Sequence, residues 1–192
     1  MKMLTTITLI ALSISLQQAT AQTESHAGFK NGSVVLADKS IVSGFIKEKI
    51  KSNSSLVITD EKGEKKILYY GSELTSATIE DNKYICLKGD FFKVLTEGEL
   101  VYLQKASDAS GQPSYNGTEA LFNNGTEGTP GDYFIYDNRR NDLKRISKKS
   151  FDNVIAASFS DCVAAFDRAK MVHNDPAQLK DAVELYNNRH KK

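Results

Sequence analysis

The chain has 192 residues, with 25 lysines and arginines against 24 aspartates and glutamates, so its formal net charge is +1. This near-neutral balance argues against nucleic acid or any other partner that binds along one whole basic face. The length suits one domain whose core is large enough to fold without obligatory disulfides.

The first 21 residues have the pattern of a secretory signal peptide. Lys2 gives a basic start, residues 4–16 form an uncharged apolar run, and Ala19-Thr20-Ala21 supplies small residues in an A-x-A arrangement. The apolar run is shorter than the roughly 20 residues that a membrane-spanning helix needs. We therefore expect cleavage near Ala21, an extracytoplasmic location, either periplasmic or secreted, and no transmembrane segment in the mature chain.

Residues 22–192 are expected to form a single β-rich domain. Short runs rich in β-branched and aromatic residues alternate with turn signals about every ten residues. The clearest stretch is 83–105, where turns centred on Gly89 and Gly98 separate three runs. The spacing predicts an antiparallel β-meander or partial barrel of roughly eight to ten strands. The runs are 33–36, 41–46, 56–59, 65–70, 74–79, 84–87, 91–96, 100–103, 133–136 and 143–146.

Residues 106–131 break this pattern. The segment is rich in glycine, serine, asparagine and proline, and its only apolar run that could pack against the core is Ala120-Leu121-Phe122. A loop of this length inside a compact domain is either functional or disordered, and both alternatives stay open at the level of the sequence.

Two or three short helices are predicted in the C-terminal part, 147–192. Residues 151–159 keep helical spacing, with Ser147 or Ser150 available to begin the helix. A second helix is expected from Ser160 or Asp161, with Val163, Phe166 and Ala169 on its apolar face. A third begins at Asn174-Asp175-Pro176, a capping residue followed by proline. Its apolar stripe is Leu179, Ala182, Val183 and Tyr186.

Cys86 and Cys162 are the two cysteines of the chain. Outside the cytoplasm they could form a disulfide, which would tie the meander to the helices and add about 4 kcal/mol in the chain-entropy model. Each also lies among apolar neighbours, where a free cysteine behaves as a small hydrophobic residue. The bridge and two free thiols both remain open.

A cluster of basic residues follows the last predicted turn. Arg139, Arg140, Lys144 and Arg145 lie close together, with Lys148 and Lys149 just beyond them and only Asp142 as an acid. This hairpin could contact a polyanion such as an acidic glycan or a lipid headgroup. The alternative is an ordinary solvated hairpin.

No cofactor, metal site or catalytic set is predicted. His26, His173 and His190 have none of the spacings typical of a metal site. A nucleophilic site at Cys86 or Cys162 would need distant partners, and neither has an electropositive setting in the sequence.

As a whole the chain resembles the small exported proteins of unknown function found in Bacteroidota. The resemblance is carried by the signal peptide, the strand pair GSVVLADKSIVSGFI, the meander FFKVLTEGELVYLQK, the helix KKSFDNVIAASFSDC and a last helix ending in LYNN. It covers most of residues 32–188 and implies a periplasmic or surface location. It transfers no catalytic residue.

The sequence thus predicts an α+β protein, mainly an antiparallel meander or partial barrel with two or three short C-terminal helices. The leading functional expectation is a non-enzymatic binding or envelope-associated module. Its expected contact surfaces are the aromatic residues Phe91, Phe92 and Tyr102, the loop 106–131 and the basic hairpin. The alternatives are an extracytoplasmic enzyme whose site is assembled from distant residues, and a barrel that carries a small apolar ligand.

Overall fold

A computed structural model describes residues 27–115 and 120–190 and shows an α+β fold. The predicted strands are all present, and helices follow them in the C-terminal part. The strands are β1 Lys30–Leu36, β2 Ile41–Lys49, β3 Ser55–Thr59, β4 Lys66–Tyr70, β5 Leu74–Ile79, β6 Asn82–Leu87, β7 Asp90–Thr96, β8 Leu100–Lys105, β9 Pro113–Tyr115, β10 Ala120–Phe122, β11 Tyr133–Asp137 and β12 Asp142–Ile146. The helices are α1 Ile50–Asn53, α2 Phe151–Ser158, α3 Val163–Lys170 and α4 Lys180–Asn187.

Ten strands form one antiparallel sheet in the order β12-β11-β8-β7-β6-β5-β1-β2-β3-β4, and β9 pairs with β10 in a separate hairpin. The sheet therefore consists of two meanders, β1 to β4 and β5 to β8 continued by β11 and β12, which are joined where β1 pairs with β5. The sequence predicted the strands but not this joint, because the pairing of β1 with β5 is a long-range contact.

The link between β4 and β5 requires the first meander to curl. Only Gly71–Glu73 join these strands, yet β3, β2 and β1 lie between them in the sheet. Four residue steps of extended chain reach about 14 Å, whereas four strand spacings in a flat sheet measure about 19 Å. The strands β1 to β5 therefore roll up into a partial barrel, which we call the half-barrel.

Gly32 and Gly44 make the curl possible. They are cross-strand partners on β1 and β2. A Cβ atom on Gly32 would lie 2.4 Å from the backbone oxygen of Thr78, and one on Gly44 would lie 2.4 Å from that of Thr59. Since neighbouring strands approach this closely, only glycine fits at the two positions.

Two apolar clusters lie on the concave face of the sheet. The half-barrel encloses the first cluster, which comprises Val34, Ile46, Ile50, Leu56, Ile58, Leu74, Ala77, Ile79, Tyr84 and Phe91. The second is the helical cluster, in which Leu100, Tyr102, Ile135 and Ile146 pack against buried residues of the helical region. Phe92, Val101, Leu103 and Phe134 form a third cluster on the opposite face, because successive strand residues point to opposite sides.

The helices follow the predicted pattern with two differences. The buried residues Leu179, Ala182, Val183 and Tyr186 form the predicted stripe of α4. The predicted start at Asp175-Pro176 opens a short 3₁₀ turn, Pro176–Gln178, where the Asp175 carboxylate accepts a hydrogen bond from the backbone N–H of Ala177. None of the helices in the described ranges is long and apolar enough to span a membrane.

The predicted apolar face of α3 was wrong at Val163, whose surface is 75% exposed. Ala165 and Ala169, which are one turn apart, form the buried face. Val163 lies two residues before Ala165 and therefore on the other side of the helix.

Candidate functional site

A row of four side chains crosses the concave face of the sheet, aromatic at its two ends and polar in the middle. Tyr84 on β6 is the register partner of Lys93 on β7, and Lys93 is the partner of Gln104 on β8. Gln104 is in turn the partner of Tyr133 on β11. Tyr84 belongs to the half-barrel cluster, and Tyr133 packs against the helical cluster. Lys93 and Gln104 therefore mark the seam between the two apolar clusters.

A cleft opens over this seam. We call it the central cleft; its volume is about 640 Å³, within the range of protein sites for small molecules. One wall comes from Glu48 at the end of β2 and Lys51 in α1, and the segment that follows β8 forms the other wall. The lining residues are Glu48, Lys51, Tyr84, Lys93, Gln104, Lys105, Ala106, Pro130 and Gly131.

The cleft contains more hydrogen-bond donors than acceptors. The Gln104 side-chain amide donates to the carbonyl of Gly131 over 3.3 Å, which holds it against the wall. Burial, and next the nearby Glu48 carboxylate, raise the pKa of the Tyr84 hydroxyl above its ordinary value. Tyr84 therefore stays protonated at neutral pH, and the protonated hydroxyl can donate a hydrogen bond.

The segment 106–131 is fastened to the sheet through a buried ion pair. Lys105 Nζ lies 3.0 Å from Asp90 Oδ2, and neither side chain is exposed. The Lys105 ammonium also donates to the carbonyls of Thr126 and Gly128 at 2.8 and 3.0 Å. Asp90 accepts hydrogen bonds from the backbone N–H of Ala109 and from both the N–H and the hydroxyl of Thr126. These contacts hold the described part of the segment beside the cleft.

The four cations of the basic hairpin that was predicted to meet a polyanion lie beside carboxylates of the fold. Each of its four cations has a carboxylate of this chain within 4 Å, so none is an uncommitted charge. The pairs are Arg139 with Glu99 at 2.7 Å, Arg140 with Asp137 at 3.7 Å, Lys144 with Asp142 at 3.3 Å and Arg145 with Asp132 at 2.8 Å.

Arg139 takes part in a second polar site, which we call the C-terminal network: Glu99, Arg139, Asp161, Tyr186 and Arg189. The Tyr186 hydroxyl lies 3.0 Å from Glu99 Oε1 and accepts a hydrogen bond from Arg139 Nη2 over 3.0 Å. Arg189 Nη2 lies 2.7 Å from the same Glu99 oxygen, and its guanidinium stacks 3.7 Å from the centre of the Tyr186 ring. The network lies beside a pocket of about 380 Å³ and clamps the end of α4 to the turn before β8.

The aromatic contact surface predicted for the meander was wrong, because all three of its residues are buried. Phe91 lies inside the half-barrel cluster, and Tyr102 lies in the helical cluster. Phe92 packs edge-on against Phe134 on the other face, with ring centroids 5.1 Å apart. The sequence shows that these three residues are apolar and lie in strands. It does not show that both faces of this part of the sheet are covered by other side chains.

Both cysteines are free thiols in the structure. Cys86 packs against the half-barrel cluster, and Cys162 packs against the helical cluster. The disulfide that the sequence left open is therefore absent between these residues. Burial, and next the charge of Asp90, raise the pKa of the Cys86 thiol far above its ordinary value, which makes it a poor nucleophile.

Two observations bear on the alternative functions. Among the described residues, no group of three or more histidine, cysteine or acidic side chains is arranged to hold a metal ion. His26 lies outside the described residues. The interior of the half-barrel, where a carrier would hold an apolar ligand, is filled by buried side chains of the chain itself, including Val34, Ile46 and Leu56.

The central cleft was missed in the sequence because its residues come from five separate segments. Lys51 lies in α1, a single helical turn that the sequence did not predict, and Pro130 and Gly131 lie in a segment whose composition predicts a loop. A weak signal existed at Lys93 and Gln104, which are polar residues within otherwise apolar strands. Without the register of β7 and β8, nothing showed that they are neighbours.

The fold and the cleft define an antiparallel α+β protein with a polar cleft between a half-barrel and a helical layer. Comparisons of the chain with protein-family models, with curated proteins and with solved structures found no match.

Proposed function

We propose that this protein is an extracytoplasmic, non-enzymatic binding module of the cell envelope and that the central cleft holds its ligand. The signal-peptide pattern of residues 1–21 supports the location. The observation that carries the proposal is the polar break in the concave face, where Lys93 and Gln104 stand between two apolar clusters. A purely structural sheet would gain stability from apolar side chains at these positions.

The composition of the cleft favours binding over catalysis. Among its described lining residues there are cations, a phenol, an amide and one carboxylate, but no cysteine or histidine. The carboxylate, Glu48, lies 3.5 Å from the ammonium of Lys30. The cleft therefore supplies groups that hold and orient a ligand, and its described lining has no cysteine–histidine pair of the kind that activates a thiol nucleophile.

The test is a comparison of native and denatured masses of the protein isolated from the envelope of its own host. We expect a mature chain that begins near Gln22 and a native mass that exceeds the denatured mass by a bound ligand. Gln104→Trp fills the cleft and should abolish the excess, whereas Lys83→Trp, at an exposed position on the opposite face of the sheet, should keep it. An uncleaved chain, or equal native and denatured masses for the wild type, would contradict the proposal.

A further inference from the structure

The charges of the central cleft are not balanced. Three lysines line it, and one of them, Lys105, is neutralised by Asp90 in the buried ion pair. Lys51 and Lys93 form no ion pair with any residue in the described part of the chain. These two ammonium groups contrast with the four cations of the basic hairpin, which all have carboxylate partners.

Glu48 does not restore the balance. Its carboxylate lies 3.5 Å from Lys30 Nζ, and that ammonium is also 3.3 Å from Glu80. The two carboxylates therefore share one lysine, and only Glu48 of these three residues lines the cleft. Even with Glu48 counted against one of them, the pair Lys51 and Lys93 leaves the cleft with a positive charge.

The remaining polar groups suit a negatively charged ligand that also carries hydroxyl groups. Tyr84, a buried residue of the half-barrel, lines the cleft, and a tyrosine hydroxyl can donate a hydrogen bond. The side-chain amide nitrogen of Gln104 is occupied by Gly131, so its carbonyl oxygen is left to accept one. Hydrogen bonds from a cation to an anion are about twice as strong as those between neutral groups.

From this arrangement we infer that the central cleft binds a small organic anion, with Lys51 and Lys93 as its counter-ions and Tyr84 and Gln104 as partners for its neutral groups. The anionic group is a carboxylate, a sulfate or a phosphate, the shared chemistry of acidic sugars and phospholipid headgroups. This inference rests on the proposed function and adds the charge of the ligand to it.

Calorimetric titration with matched ligands tests the inference. Glucuronate carries a carboxylate where glucose carries a hydroxymethyl group, so this pair tests the effect of the charge. Glycerol 1-phosphate represents a lipid headgroup. Inorganic phosphate tests whether an anion without hydroxyl-bearing carbon atoms is enough for binding. We expect the anionic probes to bind and glucose to bind at least about tenfold more weakly, because a charge-assisted hydrogen bond contributes about 1.5–3 kcal/mol and each 1.4 kcal/mol is tenfold. Whichever of glucuronate and glycerol 1-phosphate binds more tightly identifies the source of the ligand.

Variants then assign the binding to the cleft. Lys51→Met and Lys93→Met should each weaken binding of the best anionic probe about tenfold, by the same conversion. Lys149→Met removes the same charge from an exposed position after β12 and should leave the affinity unchanged. Thermal unfolding of each variant confirms that the fold is retained, which we expect because Lys51 is exposed and Lys93 is half-buried.

Three results would overturn the inference. They are equal affinities for glucuronate and glucose, equal affinities for wild type and both cleft variants, and no binding of any anionic probe at millimolar concentration. None of them removes the proposed function, since a neutral ligand would still appear in the native mass and would still be lost in Gln104→Trp.

Discussion

Lys105 and Asp90 form an ion pair in which the ammonium and carboxylate lie 3.0 Å apart and both side chains are fully buried. Carbonyl groups of the segment 106–131 accept the other Lys105 hydrogen bonds, and backbone N–H groups of the same segment donate to Asp90. The pair therefore holds the described part of a segment whose composition is typical of a loop. Because Pro130 and Gly131 wall the central cleft, the pair also supports the candidate site.

The first prediction concerns this ion pair. Lys105→Met should lower the free energy of unfolding by about 3–5 kcal/mol, because it leaves the Asp90 carboxylate buried without a counter-charge. Urea unfolding measures the change. The control is Lys83→Met, which breaks the exposed pair of Lys83 and Glu97 and should cost at most about 1 kcal/mol. Similar losses in the two variants would show that burial does not set the strength of the Lys105 pair.

The second prediction concerns the curl of the half-barrel. Gly44→Ala should lower the free energy of unfolding by about 1–3 kcal/mol, the range for overpacking, because the new Cβ atom would lie 2.4 Å from the backbone oxygen of Thr59. Ser43→Ala, at the exposed neighbouring position, should change it by no more than about 0.5 kcal/mol. Thermal and urea unfolding of both variants check this. A harmless Gly44→Ala would mean that β2 and β3 are farther apart than described.

The third prediction concerns the pH range above neutrality. Burial, and next hydrogen bonds with Glu99 and Asp161, raise the pKa of the Tyr186 hydroxyl from 10.0 to about 12. The folded state thus favours the protonated phenol, so this contribution to stability is complete below pH 10.0 and is lost as the pH rises towards about 12.

Tyr186→Phe provides the comparison. It should cost about 1–3 kcal/mol at neutral pH, because it removes a buried hydroxyl that Arg139 and Glu99 both contact. Its stability should then fall less steeply than that of the wild type in the alkaline window. Urea unfolding as a function of pH measures both slopes, and parallel curves would show that Tyr186 is not the titrating group.

The fourth prediction concerns acid. Burial opposes ionisation of Glu99, but hydrogen bonds from Arg189 and Tyr186 outweigh it and lower the pKa of the carboxyl below its ordinary value. The folded state favours the carboxylate, so this stability is present above the unfolded pKa of about 4.3 and is lost as the pH falls through the lower folded value. Arg189→Met should flatten the acid limb of a pH-dependent urea unfolding series.

A matched control for the acid limb is Lys180→Met. It breaks the exposed pair of Lys180 and Glu184, which are 3.7 Å apart on one face of α4. Because an exposed pair contributes little, the acid limb of this variant should match that of the wild type. An unchanged acid limb in Arg189→Met would remove Glu99 as its source.

The fifth prediction concerns the thiols. Alkylation with iodoacetamide under denaturing conditions without reductant should add two groups, because both cysteines are free. In the native protein Cys86 should react far more slowly than after unfolding, since burial raises its thiol pKa. Mass spectrometry of peptides measures both. No addition without reductant, and two additions with it, would instead establish the disulfide between Cys86 and Cys162.

Much of the fold could be predicted because its signals are local. The turns around Gly89 and Gly98 and the alternation within β1 to β8 depend on neighbours in sequence, so the strands and their antiparallel pairing by hairpins followed directly. The stripe of α4 was predicted for the same reason, since residues three and four apart lie on one face of a helix. Val163 shows where prediction from local signals fails. Which side of α3 is buried depends on how the helix packs against the rest of the protein, and this is not a local property.

The sequence by itself determined the class of fold, the strands, the last helix and the signal-peptide pattern, all of which arise from contacts or periodicities within a few residues. Only the tertiary structure decided that β1 pairs with β5 and that Arg139, Arg140, Lys144 and Arg145 have carboxylate partners. It also decided that Lys51 and Lys93 line one cleft and have no carboxylate partner among the residues that the structure describes. The physical reason is that a charge acts through distance in space. Which lysine is neutralised and which remains available depends on strands that are brought together only when the sheet curls.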